Sequence, residues 1–254
     1  VSGVVRAELL KLRRSMVWAF VPLLSLLAVI SGGINYWMNR DVLDNGWVSL
    51  IGQTTLFYGI IFYAVGIGLI ASAVWRPEHR SSSWNAALTC GISPLKLVLT
   101  KAFVIMIPTS ALQACFIGYT WAFGTAVGLG PSIPPSFIAS SLLVIVLSVP
   151  LILVQSLLSM LMKSFAGPAA LAMGASILGF LSTVLPGTIA RALSFALPHA
   201  LCTRGILLGS SAVSGSGVIE GETVAILIMA GLIDTVVAVG ITALVVRHRT
   251  IERR

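Results

Sequence analysis

Charge is what this chain has least of. Eight acidic and sixteen basic side chains are spread over 254 residues, and charged residues make up 9% of the total. A water-soluble domain of this size cannot cover its surface with so few. Three cysteines, Cys90, Cys115 and Cys202, are too few and too dispersed for a disulfide framework or a metal cluster. The sequence lacks a Gly-x-x-x-x-Gly-Lys-Ser/Thr loop, so it holds no phosphate cradle of that type for its own ATP hydrolysis. It also lacks His-Glu-x-x-His and Gly-x-Ser-x-Gly. Ser194 and His199 fall in one connection, but no carboxylate pattern accompanies them as a hydrolase would need.

What the chain has is hydrophobic length. Apolar residues reach 57% and the mean hydropathy is +1.01. Crossing the hydrocarbon core takes about 20 apolar residues in an α-helix. Six runs qualify: 16–34, 50–74, 102–127, 137–162, 168–185 and 223–246. They are continuous and do not alternate, which excludes the pattern of a membrane β-barrel. The expected fold is an all-α polytopic bundle forming a single transmembrane domain over 1–254.

Basic residues set the expected orientation. Arg6, Lys11, Arg13, Arg14, Arg76, Arg80, Lys96, Lys101, Lys163, Arg247, Arg249, Arg253 and Arg254 all fall on one side of such a bundle. Arg40, Arg191 and Arg204 fall on the other. This bias predicts both termini in the cytoplasm. The net charge of +8 reads as a topology signal and a contact with anionic lipid. Nucleic-acid binding does not fit basic residues scattered at membrane edges.

Residues 1–15 read as an amphipathic helix lying at the interface. Val5, Leu9, Leu12 and Met16 form its apolar stripe, with Glu8, Lys11, Arg13 and Arg14 among the polar positions. It serves as a topology anchor or also touches a partner. The fifth run is crowded with small residues from Ala166 to Ala175, which suits close helix packing within the chain or a subunit interface. Residues 186–222 form the longest outer connection. Its first part is too apolar for a solvated loop and reads as short helices that dip into or lie on the outer leaflet, against protein. Its Ser/Gly-rich end reads as flexible.

The most polar connection is 76–101, RPEHRSSSWNAALTCGISPLKLVLTK. Pro77 and Glu78 suit a first helical turn. Ser93-Pro94 suits the N-cap and first residue of a helix entering the third run. One deep carboxylate, Asp234, lies near the middle of the last run, with Gln113 at similar depth in the third. An isolated carboxylate there must face protein or a water-filled path. The two are a candidate polar pair, structural or on a pathway.

The 76–101 segment resembles the coupling-helix region of type-2 ABC transporter permeases, most closely the lantibiotic-immunity and bacitracin-resistance exporters. The match rests on Glu78, Ser81, Ser82, Ser83, Trp84-Asn85, Ser93-Pro94 and Lys101, with Glu8 to Ser15 resembling the family's opening helix. The resemblance implies a permease in a bacterial cytoplasmic membrane. Two cytoplasmic ATPase subunits would bind ATP and Mg²⁺, leaving this chain without a cofactor or metal. A second permease, identical or related, would complete the path. Glu78, His79, Arg80, Ser81, Ser82, Ser83, Trp84 and Asn85 would contact the ATPase. The implied cargo is amphipathic: an antimicrobial peptide, a drug or a lipid-like molecule. A secondary transporter or channel is the main rival, but it usually needs several buried ionisable groups in repeated halves, which this sequence does not offer.

Overall fold

A computed structural model of the chain describes residues 2–80, 93–208, 210 and 221–251. Among these residues the structure is helical, with no strand. Helix α1 covers Ser2–Arg13 and α2 covers Val17–Met38. Helices α3 (Trp47–Phe57) and α4 (Tyr63–Arg80) are joined by a π-helical turn at Tyr58–Phe62. Then come α5 (Pro94–Ala126), α6 (Pro135–Leu161), α7 (Gly167–Val184), α8 (Thr188–Ala196), α9 (Pro198–Leu207) and α10 (Gly221–Ile251). Six segments are long and apolar enough to span a bilayer: α2, α3 through α4, α5, α6, α7, and α10 as far as His248. These are the six expected runs. Their helices mostly extend past the apolar core, because backbone pairing continues after the hydrophobic residues end.

Local signals explain several boundaries. Ser93 caps α5, its Oγ accepting from the Lys96 backbone N–H at 3.3 Å, and Pro94 follows at the first helical position. Pro135 is the first residue of α6 and Pro168 the second of α7, both without a side-chain cap. One boundary departs from expectation. Pro77 and Glu78 do not begin a new helix but lie in the last turns of α4, which runs on to Arg80. Contacts made by Glu78 and His79 hold that end in place despite the proline.

The π-helical turn is a packing centre. Widening the helix there frees a carbonyl from regular pairing. Gly59 O accepts from Ser176 Oγ of α7 at 3.1 Å and from Thr203 Oγ1 of α9 at 3.3 Å. Beside it Tyr58 stacks on Phe116 with ring centroids 3.8 Å apart. Small residues permit the close crossings. A methyl group at Gly32 would collide with the Thr54 backbone, and one at Gly68 would come within 2.9 Å of Ala169 Cα. The small residues of α7 therefore divide. Ala169 and Ala172 are buried within the chain, whereas Gly174 faces open space.

The connection after α7 enters the bundle rather than lying across it. Helices α8 and α9 form a hairpin whose second arm packs on α6 and α7. Cys202 Sγ lies 3.4 Å from Leu147 O, near the middle of α6. His199, one turn nearer the hairpin tip, meets Gln155 at 3.1 Å. Gln155 sits about 30 Å along α6 from Pro135, at 1.5 Å per residue. The tip thus passes the middle of the bundle. The Ser/Gly-rich residues 211–220 lie outside the described residues.

Candidate functional site

The most highly charged interior contact lies at the end of the bundle that carries α1. Helix α1 turns Glu8 and Leu12 inward, so the buried stripe of this amphipathic helix includes a carboxylate. Met16, expected on that stripe, is instead 64% exposed. The inward face of α1 meets α5, and Glu8 there reaches Lys101.

Four side chains from three helices close an alternating ring. Lys11 Nζ donates to Glu8 Oε1 at 2.7 Å and to Glu78 Oε1 at 2.8 Å. Lys101 Nζ donates to Glu8 Oε2 at 2.5 Å and pairs with Glu78 Oε2 at 3.0 Å, in the second case without hydrogen-bond alignment. Lys101 is fully buried. It also donates to Val74 O at 3.1 Å and lies 5.1 Å from the centroid of the Trp75 ring. Trp75 Nε1 in turn donates to Ser156 Oγ of α6 at 2.9 Å. His79 Nε2 lies 2.6 Å from Ser159 O; a carbonyl can only accept, so this nitrogen carries the proton. The ends of α1, α4, α5 and α6 are thereby tied together.

Buried ions are costly unless paired, and here each acid touches two bases. Burial alone would raise the Glu8 carboxyl pKa. Lys101 and Lys11 outweigh it and hold the carboxyl below its ordinary 4.5. Burial alone would lower Lys11, but Glu78 and Glu8 reverse this and raise it above its ordinary 10.5. The signs give a window. The Glu8 contribution is present above 4.5 and is lost as pH falls through the lowered value. The Lys11 contribution is present below 10.5 and is lost as pH rises through the raised value. Thermal unfolding of the detergent-solubilised chain should therefore show a stability plateau across neutral pH. Glu8→Gln should lower that plateau and flatten its acid limb. An acid limb unchanged by Glu8→Gln would contradict the assignment.

The other sequence-selected residues are placed as follows. Arg13, Arg14 and Arg80 are exposed. Ser81, Ser82, Ser83, Trp84 and Asn85 lie outside the described residues. Asp234 and Gln113 are buried, at 9% and 2% exposure, but no hydrogen bond joins them. Asp234 Oδ2 and Gln113 Oε1 each lack a hydrogen-bond partner. The proposed pairing is not made, because α10 lies mainly on α6 whereas α5 lies mainly on α2, α6 and α4. Lys101 was matched to a family pattern but not selected for the site. Its signal is a lysine two turns inside a helix that carries no further charged residue. Gln155 and His199 were also missed as a contact. Among the described residues no group of three or more His, Cys, Asp or Glu side chains could hold a metal ion.

Residues 4–182 match a family model described as ABC-2 family transporter protein. The match runs from α1 almost to the end of α7. No curated protein and no solved structure matches the chain.

Proposed function

The chain belongs to the ABC-2 transporter family, and from that premise we propose that it is the permease of an ATP-driven exporter worked through its α1 end. Family membership makes it a multi-pass membrane component of an ABC transporter, distinct from the ATPase and partnered with one. The finer reading adds direction, mechanism and cargo. Two cytoplasmic ATPases would bind ATP and Mg²⁺, and a second permease would complete the pathway. The cargo would be an amphipathic peptide, drug or lipid-like molecule leaving a bacterial cytoplasmic membrane, with both termini of this chain cytoplasmic. The 76–101 segment resembles that of exporters of the lantibiotic-immunity and bacitracin-resistance type.

The observation that carries this reading is the four-membered charge ring. Residues 76–101 link two spans, and Glu78 and Lys101 near the two ends of that segment are both bonded to α1. A push on the segment would reach α1, α4 and α5 together and move them as one body, as alternating access requires. On this account Trp84 is the anchor on the ATPase. Glu78 works from inside, joining the segment to the bundle, and His79 does the same toward α6.

Co-purification tests it. The full chain, isolated from its native cell in mild detergent, should bring down a soluble protein with a phosphate-loop motif. Trp84→Ala should reduce the recovered ATPase by roughly tenfold, the scale of a lost aromatic anchor. Recovery of the chain with no such protein, or undiminished capture by Trp84→Ala, would contradict the reading.

A further inference from the structure

We propose that the crevice between α1, the last turns of α4 and Phe165 binds the phosphate of an anionic phospholipid in the leaflet that meets this end of the bundle. The inference rests on the assignment of membrane spans and does not require the exporter reading. The crevice is a formed cavity of about 290 Å³. Arg14 from the α1 side and Arg76 and Arg80 from α4 line it, together with the apolar Leu12, Met16 and Phe165. An adjoining cavity of about 220 Å³ shares Arg76, Arg80 and Phe165 and adds His79 and Lys163.

The charge balance points to an anion. Glu8 and Lys11 also line the first cavity, but both are committed to the ring with Glu78 and Lys101, whose charges cancel. Arg14, Arg76 and Arg80 remain. Among the described residues they make no ion pair, and Arg76 lies 5.3 Å from the centroid of the Phe165 ring. Three guanidinium groups around one cavity repel one another unless an anion lies between them, and planar guanidinium groups favour phosphate oxygens.

The position points to a lipid. The cavity lies where α1 turns into α2 and where α4 leaves its apolar stretch, the level of phospholipid headgroups. Basic side chains at that level attract anionic lipid. A free phosphate would satisfy the guanidinium groups but leave the exposed Met16 and the half-buried Phe165 uncovered. A lipid would place phosphate against the first set and glycerol and upper acyl carbons against the second.

Native mass spectrometry of the purified full chain in detergent tests this with phosphatidylglycerol as the probe. Wild type should retain phosphatidylglycerol in preference to phosphatidylcholine, and equimolar inorganic phosphate should not displace it. A chain carrying Arg14→Gln, Arg76→Gln and Arg80→Gln should bind phosphatidylglycerol at least tenfold more weakly, because each basic side chain at the headgroup level adds to the attraction of anionic lipid. Arg13→Gln, exposed and outside the cavity, should bind like wild type. If the triple variant does not fold, Arg80→Gln alone must still bind more weakly than Arg13→Gln. Undiminished retention by the triple variant or by Arg80→Gln would overturn the proposal. So would equal loss in Arg13→Gln, or displacement by inorganic phosphate. A triple variant that keeps its lipid but loses the ATPase would make the crevice a protein-docking surface and overturn it as well.

Discussion

Lys101→Ala should destabilise the chain by about 3–5 kcal/mol, the cost of leaving buried charge without its partner. Lys101 is fully buried, and its ammonium group touches both Glu8 and Glu78. Its loss leaves two carboxylates, each 4% exposed at the side chain, with only Lys11 between them. It also removes the donor to Val74 O. Lys11→Ala should cost much less, since the Lys11 side chain is 40% exposed and water can enter its place. The comparison separates burial from charge count, because both variants delete one positive charge from the same ring. Thermal or denaturant unfolding of the two variants in one detergent measures it. Lys101→Ala proving no worse than Lys11→Ala would mean that the ring does not hold this end together. Replacing all four members by apolar residues of similar size should be milder than Lys101→Ala, since no ion is then left unpaired.

Much of the bundle could be read from the sequence, and the reasons are local. Twenty or so continuous apolar residues form a membrane helix, because a helix pairs its backbone within the segment and the run lacks the alternation of a barrel strand. Ser93-Pro94 and Pro168 mark helix starts by their own chemistry. The apolar stretch from Ile189 to Leu208 announced that it could not be a solvated loop. What escaped was long-range or conformational. Glu8 looked like part of a polar face, yet it is 4% exposed because Lys101, 93 residues away, supplies a partner inside. Glu78 looked like the start of a surface helix and instead ends a span, held by Lys11 across a separation of 67 residues. The π-helical turn at Tyr58–Phe62 had no signal at all, since Tyr-Gly-Ile-Ile-Phe reads as ordinary apolar helix. Its register change is stabilised by Ser176 and Thr203 from other helices, a cause invisible to any local window.

These long-range contacts bear on function in one way. A carboxylate and an ammonium group facing water can be exchanged at little cost, whereas a closed ring under low dielectric resists separation. Helix α1 and the ends of α4 and α5 should therefore move as a unit when the 76–101 segment is displaced. Family membership places the ATPase on another chain.

Transport itself should thus show an all-or-none dependence on the partner. The direct measurement is cargo movement in sealed vesicles containing this chain, with and without its co-purifying ATPase, using an amphipathic antimicrobial peptide as cargo. The account predicts no movement by the chain alone under any imposed ion gradient. It predicts ATP-dependent movement once the ATPase is present, and loss of that movement, with the ATPase still bound, in Glu78→Gln. Gradient-driven movement by the chain alone, with no gain from the ATPase and ATP, would contradict it.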